Sequence, residues 1–273
     1  MRKAATPDVL RRSFEVKARF LFHPPWSMQT EWDSLAGADA LWVRPRRTSA
    51  DVTLLYFHGG GAMVAALSHR AGAQAVLPRY PLAPEHAFPA AIDHALAAYR
   101  ACHALGQPVV VGGDSAGGAL ALSLLGHLLD TSGPLPAATF AFSPLTDLAF
   151  SGASIRENAE CEAVLPAERA SEMMHMYLAD ADPMNPRASP LYASFRGAPP
   201  VWITVGDTEI LRDDSRRIVA RMQDEAVDVT FVEERDLPHV WPSFHNTLPE
   251  ARRTLDALAA WIKDQAGASA PTR

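Results

Sequence analysis

Residues 113–117 read Gly-Asp-Ser-Ala-Gly, a G-x-S-x-G pattern centred on Ser115. The apolar run 109–112 (VVVG) precedes it, and a helical pattern over 117–129 follows. A serine on a sharp strand-to-helix turn sits in strained backbone, and small neighbours let the chain turn without a clash. Its hydroxyl is then exposed at a helix N-terminus, whose dipole favours developing negative charge. The plainer reading is a glycine-rich turn with an incidental serine, but strand before and helix after favour a nucleophile. The glycines fit no phosphate-binding loop, since GxxxxGK[ST] is absent, and no dinucleotide fingerprint.

A second glycine cluster, His58-Gly59-Gly60-Gly61, ends the apolar run 52–57 (VTLLYF). Attack on a carbonyl puts negative charge on its oxygen, and backbone N–H groups must approach it closely. Glycines offer them without an obstructing Cβ. The expected oxyanion donors are Gly60, Gly61 and Ala116. His58 is expected to brace this loop through hydrogen bonds to backbone rather than to react.

The general base is expected late in the chain. His239 lies in the loop LPHVW, between the strand-like run 229–233 and the last helical pattern, and histidine exchanges protons near neutrality. His245, six residues on, is the weaker competitor. The remaining histidines have no metal-ligand spacing such as HExxH, and surface or core roles are expected of them. An acid should orient the base from the loop after 201–206, which reads DTEILRDD. Asp213 and Asp214 are expected to charge the first turn of the following helix. Asp207 and Glu209 both remain open.

These residues need a scaffold. Short apolar runs at 52–57, 75–80, 109–112, 139–143, 201–206 and 229–233 alternate with helical patterns at 90–105, 117–129, 213–225 and 249–266. That rhythm predicts an α/β fold with a mostly parallel central sheet covered by helices on both faces. The run 41–44 could add an antiparallel edge strand. Residues 146–196 form a long excursion with helical patterns near 156–161 and 166–178, long enough for a lid. Residues 1–35 contain a helical pattern and are read as preceding any strand.

The chain is 273 residues long, 48% hydrophobic and 21% charged, with a net charge of -6. One globular domain over 1–273 is expected, and no nucleic-acid partner. Cys102 and Cys161 make no framework, and no run is long and apolar enough for a signal sequence or a membrane span. A cytoplasmic location follows as the expectation, with no membrane partner. Monomer and homodimer both stay open.

Taken together, HGGG at 58–61, YPLAPEHAFP at 80–89, GDSAGG at 113–118, SPLY at 189–192, the acid loop and His239 resemble the bacterial hormone-sensitive-lipase-like carboxylesterases of the α/β-hydrolase fold. The order serine, acid, histidine matches that fold. The resemblance implies a helical cap, here about 1–35 and 146–196, no metal or cofactor, and hydrolysis of short to medium acyl esters as small-molecule substrates. It also sets register in the acid loop: Glu209 begins the run EILRD that aligns with the family's acid motif, so Glu209 is preferred to Asp207. The implied triad is Ser115, Glu209 and His239.

Three departures from the family pattern stand out. Arg79 and Pro81 replace an Asp and an Arg, removing a local ion pair, and Ala62 replaces an aromatic. Only 62–74 separate the glycines from the run 75–80, which suggests that a stretch just after Gly61 is missing. A damaged loop there would favour a catalytically impaired small-molecule binder, as plant gibberellin receptors resemble this family. The intact serine and histidine favour the enzyme. An amidase or deacetylase would use the same triad.

Overall fold

The computed structural model describes residues 28–59 and 63–268. It contains one eight-stranded sheet in the order β1-β2-β4-β3-β5-β6-β7-β8. The strands are β1 (Met28–Leu35), β2 (Ala38–Pro45), β3 (Thr53–Phe57), β4 (Gln74–Pro78), β5 (Val109–Asp114), β6 (Ala138–Phe142), β7 (Val201–Gly206) and β8 (Val229–Glu234). From β3 to β8 every pairing is parallel, while β1–β2 and β2–β4 are antiparallel. Alternation in β3 shows how both faces are used. Leu54 and Tyr56 enter one core, and Leu55 and Phe57 enter the other.

Helices α1 (Val64–Ala71) and α7 (Pro249–Ala268) cover one face. The other carries α2 (Ala90–His103), α3 (Ala116–Asp130) and α6 (Arg212–Asp224). Helix α3 is buried almost all round, because it is wedged between the sheet, α2 and the segment 190–195. Two short helices, α4 (Ser154–Glu157) and α5 (Ala170–Leu178), lie in the excursion after β6.

The outer edge differs from the expectation. Residues 28–35, read above as cap, form β1, and the run at 41–44 is the second strand rather than the edge. Strand β1 is polar and mostly exposed, and pairing along its whole length with β2 holds it. Residues 1–27, the rest of the expected N-terminal cap, lie outside the described residues.

Strands β3 and β4, on either side of the short crossover, pair in parallel. Thr53 pairs with Gln74, and α1 ends at Gly72 in the left-handed conformation, φ 63°. Helix α1 has no side-chain N-cap bond, as the lack of a polar residue before it implies. The proposed gap after Gly61 falls at residues 60–62, outside the described residues. Arg79 lies 3.7 Å from Asp39 on the surface, an exposed pair worth little.

Candidate active site

At β3 the chain order reverses, β4 lying on one side and β5 on the other. Ligands of parallel α/β sheets bind at the carboxyl ends beside such a switch point. Ser115 stands there, between β5 and α3, with φ 54° and ψ -120°. This is strained backbone for a residue with a Cβ. Its N–H donates to Phe142 O at 2.8 Å, and its carbonyl accepts from Ala119 and Leu145. The flanking glycines are required by close approach. A Cβ on Gly117 would lie 2.0 Å from Phe57 O, and one on Gly113 would lie 2.4 Å from the Gly117 backbone. The small residues thus let β3, the turn and α3 meet backbone to backbone.

Asp114, one residue before the serine, is buried and ties this turn to the glycine loop. Its Oδ1 accepts from Tyr56 Oη at 2.7 Å and from Gly59 N at 2.9 Å. Burial, reinforced by the Asp114 charge, holds the Tyr56 hydroxyl well above its ordinary range. Tyr80, from the YPLAPEHAFP segment, donates to His58 O at 2.5 Å and packs beside the His58 ring. Burial lowers the pKa of His58. Gly60 and Gly61 lie outside the described residues. Ala116 is the first residue of α3, where the helix offers its N–H no internal partner.

His239 and Glu209 meet directly. His239 Nδ1 is 2.7 Å from Glu209 Oε2, and the two residues are only 6% and 1% exposed. The carboxylate fixes the tautomer by accepting from Nδ1–H, which leaves Nε2 able to take a proton. Glu209 Oε1 accepts from Gly206 N at 2.6 Å and from Ser143 Oγ at 2.8 Å. Asp207, the rival acid, points elsewhere. Its Oδ1 accepts from Asp236 N at 2.8 Å and so pins the turn after β8. His245 is buried and makes no pair with these acids; burial, aided by Arg70 and Arg252, lowers its pKa.

Asp213 and Asp214 do occupy the first turn of α6, yet their carboxylates bind the excursion. Asp213 Oδ2 accepts from Ser154 N at 2.9 Å. Asp214 Oδ2 accepts from Thr146 N at 2.7 Å and Asp147 N at 2.9 Å. Asp147, buried beside it, shares Arg217 with Asp214. Burial pushes the Asp214 carboxyl up to about 7. Burial also acts on Asp147, but bonds from Ser151, Arg217 and Tyr192 outweigh it and lower its pKa.

Sequence reasoning missed Asn158. Its Nδ2 donates to the carbonyls of Asp207 at 2.9 Å and Glu209 at 2.8 Å. Nearby, Ser154 Oγ donates to Ile210 O at 2.7 Å, and Glu162 Oε2 accepts from Ile210 N at 3.1 Å. The excursion therefore grips the acid loop from outside. Its helix α5 packs on the body through Leu178, Met174 and Tyr177 against Leu148, Leu145 and Phe88. Among the described residues, no three His, Cys, Asp or Glu side chains come together as a metal would need, and no helix is long and apolar enough to cross a membrane.

The family model for the α/β-hydrolase fold matches residues 54–243. An acetyl-hydrolase of Streptomyces hygroscopicus is 40% identical over 241 residues, 84% of this chain and 80% of that protein. An esterase of Acinetobacter venetianus is 31% identical over 267 residues, 93% of this chain and 88% of that one. The crystal structure of an esterase from the bacterial hormone-sensitive lipase family superposes with a TM-score of 0.92 at 34% identity, covering 97% of this chain and 93% of that chain.

Proposed function

The chain belongs to the α/β-hydrolase family, among the bacterial esterases that resemble hormone-sensitive lipase, and it is a carboxylic-ester hydrolase; from that premise we propose that it works through an acyl-enzyme on Ser115. The observation that carries this reading is the buried Glu209–His239 pair, set at the carboxyl end of the same sheet that presents the strained Ser115.

In this mechanism Ser115 Oγ attacks the ester carbonyl, and His239 Nε2 takes its proton. Glu209 stabilises the imidazolium through Nδ1–H. The negative oxygen is held by the N–H groups of Ala116, Gly60 and Gly61. His239 returns the proton to the leaving alcohol, and water, activated by the same nitrogen, releases the acid. Residues 146–196 serve as the cap over this site. The substrate class is short- to medium-chain acyl esters. The support for that is the excursion's modest size and the acetyl-hydrolase among the relatives.

The test uses a fluorophosphonate and p-nitrophenyl butyrate. The adduct is expected on Ser115 by peptide mass. Ser115→Ala should retain its fold and lose on the order of 10⁶ in kcat. An adduct on another residue, or a mutant keeping a tenth of the activity, refutes the assignment. A higher kcat/KM on emulsified long-chain triglyceride than on butyrate refutes the substrate class.

A further inference from the structure

We propose that Ser143 is a positioning residue for the acid–base pair, its one hydroxyl setting both the Glu209 carboxylate and the backbone that aims His239. The inference rests on the reading of that pair given under Proposed function. Ser143 is the first residue beyond β6, between Ser115 and Glu209 along the row of strand ends, and it is fully buried. Its main chain is fixed by an N–H bond to Thr204 O at 2.8 Å. The hydroxyl has one proton and donates it to Glu209 Oε1 at 2.8 Å. A lone pair on the same oxygen accepts from Val240 N at 3.1 Å. Val240 follows His239 directly, so a single oxygen joins the acid to the main chain of the base.

Two features show why the pair needs this bridge. The terminal torsion of a glutamate is broad, so one hydrogen bond does not fix the carboxylate plane. Here Ser143 and Gly206 N hold Oε1 together, which leaves Oε2 aimed at Nδ1. The second feature is strain. Val240 has φ 53°, an outlier for a β-branched residue, and Ser143 itself has φ 47°. Such backbone persists only when its surroundings over-determine it. The bond from Val240 N to Ser143 Oγ joins these two strained positions and keeps the loop turned so that His239 points inward. No water replaces the hydroxyl easily, because Glu209 is only 1% exposed.

Ser143→Ala removes the bridge and adds no bulk, and Ser143→Gly removes it in a residue that suits φ 47°. Each is assayed on p-nitrophenyl butyrate, with turnover referred to folded protein counted by circular dichroism. Loss of a hydrogen bond to a charged group should lower kcat by about 10- to 100-fold, with KM changed less than about twofold because substrate contacts are untouched. Combined with Glu209→Gln, the same substitution should cost less than about threefold more, since a residue acting through Glu209 has nothing left to position. The inference is overturned if both variants keep near wild-type kcat while Glu209→Gln is crippled, if the loss falls in KM instead, or if the loss is undiminished in the Glu209→Gln background. Near wild-type turnover in Glu209→Gln itself would remove the acid from the mechanism, and this inference with it.

Discussion

Glu209 and Asp207 lie two residues apart in one turn, and their carboxylates face opposite tasks: Glu209 Oε2 meets His239 Nδ1 at 2.7 Å, while Asp207 Oδ1 takes the amide of Asp236 at 2.8 Å. The turn after β7 makes the separation. Gly206 lies so close to Leu237 O, 2.2 Å from where a Cβ would be, that the loops after β7 and β8 are pressed together. Glu209 then reaches back under its own turn to Gly206 N. Glu209→Gln should lower kcat by about 10⁴, because the imidazolium loses its counter-charge and its tautomer is no longer fixed. Asp207→Asn should leave kcat within a few-fold and cost about 1 kcal/mol of stability through a weakened turn bond. Steady-state kinetics and thermal midpoints of the two variants decide it. A crippled Asp207→Asn beside an active Glu209→Gln would transfer the role to Asp207.

Asn158 gives a second, sharper test, because its chemistry has a sign. Its amide is a donor toward two carbonyl oxygens, those of Asp207 and Glu209, at a site only 8% exposed. Asn158→Ala leaves both carbonyls without that donor and should cost about 1–3 kcal/mol of stability, with kcat reduced as the acid loop loosens. Asn158→Asp has nearly the same shape but can only accept when ionised, so it sets a negative charge against two carbonyls. It should be the worse of the two in thermal midpoint and in kcat. The reverse ranking would mean that shape, and not donation, is what the site needs.

What was legible in the sequence follows from how each part is stabilised. Strands β3 and β5–β7 are buried on both faces, and such strands read as continuous apolar runs. Strand β1 was not legible. Its residues, MQTEWDSL, are mostly exposed, and only pairing with β2 makes them a strand. The serine turn was legible because its glycines answer to local backbone contacts within and beside the motif. Glu209 needed the motif's register to separate it from Asp207, since both acids fit the loop. Ser143 and Asn158 were invisible because they act on Glu209 across 66 and 51 residues, and nothing in their neighbours' types marks them. Asp213 and Asp214 look like helix-start acids, and they stand in that turn, but tertiary contacts claim their carboxylates.

Asp214 should make the stability of the fold depend on pH. Its carboxylate holds the start of the excursion through Thr146 N and Asp147 N, and it shares Arg217 with the equally buried Asp147. Burial raises it from the ordinary 3.8 to about 7. The folded protein therefore keeps this proton over a range in which the unfolded chain has already released it. Between about pH 4 and 7 the folded state binds more protons, so stability falls as pH rises, and the fall levels off above about 7. At about 1.4 kcal/mol per pH unit, the whole contribution is at most about 4 kcal/mol. Other groups titrate in the same window. His58 and His245 have lowered pKa values, and their contribution runs the other way, stability rising with pH up to the ordinary histidine range. Asp147 is lowered, so its contribution is lost only at pH values below the ordinary carboxylate range. The variant Asp214→Asn isolates the one group, because its amide oxygen can still accept from both N–H groups while nothing titrates. Thermal midpoints of the wild type and Asp214→Asn are compared from pH 5 to 9. The wild type should lose ground to the variant steadily as pH rises, by several degrees in total, and the two curves should run parallel above pH 8. Curves that stay parallel across the whole range would mean that Asp214 is ionised throughout, held so by the two backbone N–H groups and Arg217.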